Sequence, residues 1–173
     1  PEFASHGKDE IRVRHLLTHT SGLPDMLDEN LELRAQKAPL KVFVERICQL
    51  KPLFKPGTRI SYQSAGIAML GEIVERLEGV RLRDFLRQEV FDPLGLGDTS
   101  LGMREDRQDR ISQVKIPGGK FEFGASEADY NWNSDYWLNF GAPWGGMLTT
   151  VGDMTVLCQL ILNGGQVGDV RIM

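Results

Sequence analysis

Apolar residues recur at three-and-four spacing in four stretches of this chain, and turn residues close off each one. The longest stretch runs from Ser64 to Gly79. Ile67, Leu70, Val74 and Leu77 line one side of it, and Glu72, Glu75, Arg76 and Glu78 take the other, the pattern of a helix with a buried stripe. Glu72 and Arg76 stand one turn apart and can pair, and Gly79 suits the left-handed residue that ends a helix. Upstream, Lys55-Pro56-Gly57 is turn chemistry and Arg59 to Tyr62 extends into the helix. Pro39 opens a second helix, with Leu40, Phe43, Val44 and Ile47 on its apolar face and an end near Leu50. Leu82, Phe85, Leu86 and Val90 mark a third, stopped by Asp92-Pro93. Met154, Leu157, Leu160 and Ile161 mark a fourth. It is introduced by Thr150-Val151-Gly152-Asp153, which has capping-box spacing, and ended by Asn163-Gly164-Gly165.

Between these lie weaker signals. Residues 1–10 read as loop, and Val13 to His19 as a short helix ended by Ser21-Gly22-Leu23-Pro24. Asp25 to Ala38 is acidic and helical only in part, and Leu94 to Gly102 is a Gly-rich turn. Met103 to Gly146 shows no periodicity beyond short strands expected at Arg110–Ile116 and Phe121–Phe123. A connection of that length inside a domain points to function. The fold class expected is mainly α, with an antiparallel sheet in the minority.

Composition narrows the function. A chain of 173 residues, 41% hydrophobic and 25% charged, can build one domain with a real core. The net charge of −4, with no basic run, argues against a nucleic-acid partner. No apolar stretch approaches the ~20 residues of a membrane span. Cys48 and Cys158 match no metal or redox spacing and are expected as two buried free thiols. His15 and His19 stand four apart on the predicted short helix, as a zinc pair would, but Leu16 stands where His-Glu-x-x-His needs its glutamate. Tyr62-Gln63-Ser64-Ala65-Gly66 lacks the first glycine of a Gly-x-Ser-x-Gly nucleophile elbow. Neither metal nor cofactor is implied.

Tyr62 sits at the mouth of the predicted long helix, where unpaired N–H groups and the dipole favour developing negative charge. The triplet Tyr62-Gln63-Ser64 resembles the Tyr-x-Asn motif of the serine β-lactamase-like hydrolases, with serine in place of the asparagine. That family includes class C β-lactamases, D-alanyl-D-alanine carboxypeptidases and related esterases. Ile11 to Leu23 closely resembles the family's "HLLTHTSGL" run. The resemblance implies the helical subdomain and part of the α/β fold of that family. It also implies acyl-enzyme hydrolysis of an ester, amide or β-lactam by a Ser-x-x-Lys nucleophile, with Tyr62 as proton relay. Ser64 then takes the place of an asparagine that holds the lysine and contacts the substrate amide, and it could instead cap the helix. His19 is expected to hydrogen-bond the Thr-Ser-Gly turn.

The nucleophile motif itself is expected outside these residues. Pro1-Glu2-Phe3 resembles a segment that follows the nucleophile helix in the family, and Gly164 to Met173 a connector into further helix and sheet. Ser5-x-x-Lys8 and Ser112-x-x-Lys115 spell the motif without its helical setting. Lys55-Pro56-Gly57 mimics the third family motif but precedes the tyrosine. Six aromatic residues crowd between Tyr130 and Trp144, and anchoring of an irregular segment is the expected use. Trp144-Gly145-Gly146 resembles a family segment at the active-site rim and is a candidate substrate wall. A non-catalytic penicillin-binding-like module that binds a peptide or protein partner is the alternative that Ser64 keeps open.

Overall fold

The computed structural model describes residues 2–115 and 132–173. Among the described residues seven α-helices carry the fold: α1 (Val13–Leu17), α2 (Asn30–Ala35), α3 (Leu40–Gln49), α4 (Ser64–Glu78), α5 (Leu82–Leu86), α6 (Asp135–Phe140) and α7 (Val151–Leu162). Two short antiparallel ladders join them. β1 (Ser100–Leu101) pairs with β2 (Met147–Leu148), Ser100 opposite Leu148, and β3 (Gln166–Val167) forms a hairpin with β4 (Val170–Arg171). The mainly α class holds.

The core lies where α1, α3 and α4 meet. Leu16, Leu23, Phe43, Val44, Ile47, Ala65, Ala68 and Met69 are all buried there in one cluster, each large side chain worth roughly 1.5–3 kcal/mol of transfer free energy. On α4 the buried face is not the expected one. Ala65, Ala68 and Met69 face the core, whereas Ile67, Leu70 and Val74 are half-buried and Leu77 is 77% exposed. Small residues explain this, because they let α4 approach α1 and α3 closely. At Gly71 a Cβ would lie 2.8 Å from Pro143, so glycine there admits the loop that follows α6. The larger stripe is left only partly covered.

Buried polar ties fix the register of these helices. Gln63, fully buried just before α4, donates through Nε2 to the carbonyls of His15 and Leu16, each at 3.2 Å, and accepts from the Ser21 hydroxyl. A Cβ on Gly66 would lie 2.6 Å from that Nε2, so glycine is what leaves the amide room. Lys8 is buried beneath the C-terminal end of α3 and donates to the carbonyls of Cys48 (3.0 Å) and Leu50. A cation there complements the helix dipole and fills orphan acceptors, although burial lowers the pKa of the ammonium. Ser5 donates to the carbonyls of Glu2 and Cys48. Ser5-x-x-Lys8 is thus a strap onto α3.

Elsewhere the predicted ends and turns appear with their expected chemistry. Gly79 closes α4 in the left-handed region (φ 71°), and Arg76 pairs with Glu72 at 2.6 Å. Lys55-Pro56-Gly57 forms a turn with Gly57 at φ 81° and the Thr58 N–H bonded to the Lys55 carbonyl. Thr150 caps α7 by accepting from the Asp153 N–H, and the Asp153 carboxylate in turn accepts from Asp98 N–H and the Thr99 hydroxyl.

Several expectations are corrected. The third helix leaves α geometry after Leu86 for one π-type turn, Arg87–Phe91. Glu105–Arg110 is a 3-10 segment and residues 111–115 hold no strand, so the strand expected at Arg110–Ile116 is absent from its described part. The Phe121–Phe123 strand falls outside the described residues. Within the stretch that lacked periodicity, α6 forms from six residues, too few to show a repeat, with Ser134 as its cap. Cys48 is buried, but Cys158 is exposed on α7. Among the described residues no helix is long and apolar enough to cross a membrane.

Gln63→Leu keeps the volume but strands the Leu16 carbonyl and the Ser21 hydroxyl in the core, the His15 carbonyl keeping its bond from Thr20 N–H. It is expected to cost roughly 2–4 kcal/mol in chemical denaturation; a change below about 0.5 kcal/mol would remove Gln63 from this role. A second expectation concerns pH. Arg76 hydrogen-bonds the Glu2 carboxylate and pulls its pKa from 4.5 to about 2. A depressed folded value contributes stability above the unfolded pKa, lost as pH falls from 4.5 toward 2. Glu2→Gln should flatten the stability curve in that window and leave neutral pH nearly unchanged.

Candidate active site

The head of α4 is built from three sides. The chain from Thr20 to Gly22 runs beside residues 53–61, with Leu53 N–H on the Gly22 carbonyl (2.7 Å), Gly57 N–H on Thr20 (2.8 Å) and Ser61 N–H on His19 (2.9 Å). Gln63 ties the next residue to α1, as described. Asp25 then closes the helix start. Its Oδ1 accepts from the Ser64 N–H at 2.9 Å and the Ser64 hydroxyl at 2.7 Å, and its carbonyl accepts from Ala65 N–H at 3.0 Å. Asp25 is a cap supplied from 39 residues away.

Between these ties Tyr62 projects outward, 61% exposed. Its ring packs against the imidazole of His19, centroids 4.8 Å apart at a 39° tilt. His19 holds a left-handed backbone (φ 56°), which is costly for a residue with a Cβ and persists only where neighbours fix it. The structure corrects two expectations here. α1 ends at Leu17, so His15 and His19 do not share a helix face. The His19 side chain does not bond the Thr-Ser-Gly turn either; its Nδ1 is buried without a hydrogen-bond partner, and its backbone carbonyl accepts from the Ser61 N–H. His15 Nδ1 accepts from Arg12 N–H.

Ser64 and Trp144 are brought together. Both line a recess with Asp25, Met26, Asn30 and Ala68, of roughly 10 Å³, room for about one water. Ser64 is buried and gives its hydroxyl to Asp25. Trp144 packs edge-on against Phe140 (5.9 Å), which meets Phe43 of α3 (5.2 Å) and Tyr136 (5.3 Å). Tyr136 donates to the Ala38 carbonyl, and the Arg34 guanidinium lies 4.3 Å from the Trp137 ring. The described aromatic residues therefore anchor α6 to α2 and α3; Tyr130 lies outside the described residues. Gly145 faces open space, whereas a Cβ on Gly146 would lie 2.5 Å from the Ala142 nitrogen. The close approach that Gly146 permits is to its own chain. Its carbonyl accepts from Gly102 N–H at 2.8 Å, extending the β1–β2 ladder.

Asp25 is a site residue that periodicity and motif spacing missed. Pro24-Asp25 marks a turn with a capping side chain, but nothing local says which helix it caps. Among the described residues no group of three or more His, Cys, Asp or Glu could hold a metal ion. Ser112 and Lys115 stand exposed on irregular chain.

Comparison with known proteins places this arrangement. A penicillin-binding protein homologue from Caulobacter crescentus superposes with a TM-score of 0.80 at 24% identity, over all of this chain and 49% of that one. EstA from Arthrobacter nitroguajacolicus Rue61a gives 0.71 at 22% identity, over 98% of this chain and 48% of that one. A Salmonella schwarzengrund protein, provisionally named a D-alanyl-D-alanine carboxypeptidase, is 25% identical over 96% of this chain. The chain spans 42% of that relative's length. The family model described as Beta-lactamase matches residues 1–172, and the chain belongs to that family.

Proposed function

We propose that this chain is the tyrosine-bearing part of a serine hydrolase that works through an acyl-enzyme, with Tyr62 as the proton relay. The observation that carries it is the placement of Tyr62. An aromatic ring left largely exposed is held at the root by the Ser61 backbone bond on one side and the Gln63 side chain on the other, and is braced by His19. Such a phenol can take a proton from a nucleophilic hydroxyl and return it to a leaving group. The nucleophile and its lysine are proposed to lie beyond residues 1–173, within the half of the family fold that this chain does not span. Ser5 and Lys8 are committed to α3 carbonyls and cannot serve. Ser64 supports the site by fixing the helix head through Asp25, and Trp144 with Gly145 and Gly146 borders it.

The substrate is proposed to be a small molecule or peptide cleaved at an acyl bond. The carboxypeptidase name of a relative and the D-amino acid amidase title of a structural neighbour, 22% identical with a TM-score of 0.66, favour an amide or peptide. Catalysis needs no metal in this scheme.

In the full-length protein Tyr62→Phe is expected to lower kcat by roughly 10²–10⁴-fold, with KM changed by less than about threefold and the melting temperature unchanged. Unaltered turnover would remove Tyr62 from the relay, and a wild-type full-length protein without turnover on any acyl substrate would favour the binding module. Residues 1–173 alone, treated with a fluorophosphonate, should yield no adduct at Ser5, Ser64 or Ser112 by mass spectrometry. An adduct on any of them would place the nucleophile within the chain.

A further inference from the structure

A cavity of about 660 Å³ opens between α3, α4, α5 and α6, large enough for a small ligand. Tyr62, Ser64 and Trp144 take no part in its lining. Its apolar surface comes from Leu40 and Val44 of α3, Leu82 of α5, Phe140 of α6 and Pro143 just beyond. Its charge is one-sided. Five cations line it, Lys37, Lys41, Arg76, Arg81 and Arg83, against two carboxylates, Glu72 and Glu75, in a chain whose net charge is −4. Arg76 is taken by Glu72 and Glu2, and the Glu75 carboxylate accepts from Leu82 N–H at 2.8 Å. The other four cations have no ion pair among the described residues. Lys37, Lys41 and Arg81 are exposed and hydrated, but Arg83 is half-buried. Its Nη2 donates to the Asn139 carbonyl at 2.7 Å. A Cβ on Gly102 or Gly141 would lie 2.8 or 2.7 Å from that Nη2, so two glycines leave the guanidinium its seat. Burial, then the like charge of Arg81, pushes the Arg83 pKa below the usual arginine value. A guanidinium drawn from water beside a second cation, with a neutral carbonyl as partner, lacks the counter-charge that would offset its desolvation.

We propose that this cavity binds a small amphipathic carboxylate, with its head on Arg83 and Arg81 and its hydrocarbon body along Leu40, Val44, Leu82 and Phe140. The proposal does not depend on the hydrolase reading. The Nη1 and Nε groups of Arg83 donate to no described residue, and a planar guanidinium offers a carboxylate two parallel N–H bonds. Lys37 and Lys41 add to the positive field that draws the anion in. The two halves of the ligand follow from the two kinds of lining. A cationic ligand would meet four unpaired like charges, and a neutral hydrocarbon would leave Arg83 uncompensated. A purely polar anion such as inorganic phosphate would match the charge and leave the apolar side chains wet. A carboxylate on a hydrocarbon chain answers both.

The test titrates the full-length protein with sodium decanoate, below its micelle-forming concentration, in a calorimeter. Saturable binding at one site is expected. Decanol keeps the chain and loses the charge, whereas acetate keeps the charge and loses the chain; each should bind at least about tenfold more weakly than decanoate. Arg83→Met retains the apolar stem and should weaken decanoate about tenfold or more. A combined Lys37→Gln, Lys41→Gln and Arg81→Gln variant changes exposed side chains only, should weaken decanoate about threefold or more, and covers the case in which Arg83→Met does not fold. No saturable binding, decanol bound as tightly as decanoate, or wild-type affinity in either folded variant would overturn the proposal. So would an octaglutamate peptide that binds where decanoate does not, an outcome that would assign the cavity to an acidic protein segment.

Discussion

The structure depends on a buried amide placed one residue before a helix. Gln63 reaches the open carbonyl end of α1 with one end of its side chain and the Ser21 hydroxyl with the other, so the last turn of α1 and the first turn of α4 are welded through one side chain. Low local polarity makes such bonds strong when complete and costly when broken. The consequence for the site is geometric. With Gln63 fixed on one side and Ser61 tied to His19 on the other, Tyr62 has little backbone freedom left and its ring must leave the domain surface in one direction. The middle residue of Tyr-x-Ser is thus the anchor that aims the tyrosine.

How much of this could be read from residues alone depends on the range of each interaction. The ends of α3, α4 and α7 were legible because their signals are local: Pro39 before α3, Gly79 in the left-handed region, Thr150 capping at Asp153. The buried face of α4 was not. Hydropathy marked Ile67, Leu70, Val74 and Leu77, but close packing favoured the smaller Ala65 and Ala68, and volume rather than hydropathy decided the contact. α6 was hidden because six residues give no period, and its stability comes from ring contacts with α3 and from Arg34 over Trp137. At the site, the position of Tyr62 followed from its place before a helix and from the family resemblance. The role of Asp25 needed the fold, since partners 39 residues apart leave no mark in spacing.

Asp25 changes the electrostatic argument for Tyr62. From the sequence, the open N-terminus of α4 looked like a source of positive potential for a phenolate. In the structure the first N–H groups are occupied by Asp25, and a carboxylate sits where the developing anion would have gained most. A negative charge on Tyr62 therefore needs a cation from elsewhere. Among the described residues, Lys8 is committed to α3 carbonyls and the Arg59 guanidinium lies 4.6 Å from the centre of the Phe54 ring. A lysine beside the nucleophile, in the part of the fold this chain does not span, fits that requirement. Asp25 sets the helix head at the expense of its dipole, and under the proposed relay the charge that would activate Tyr62 comes with the nucleophile.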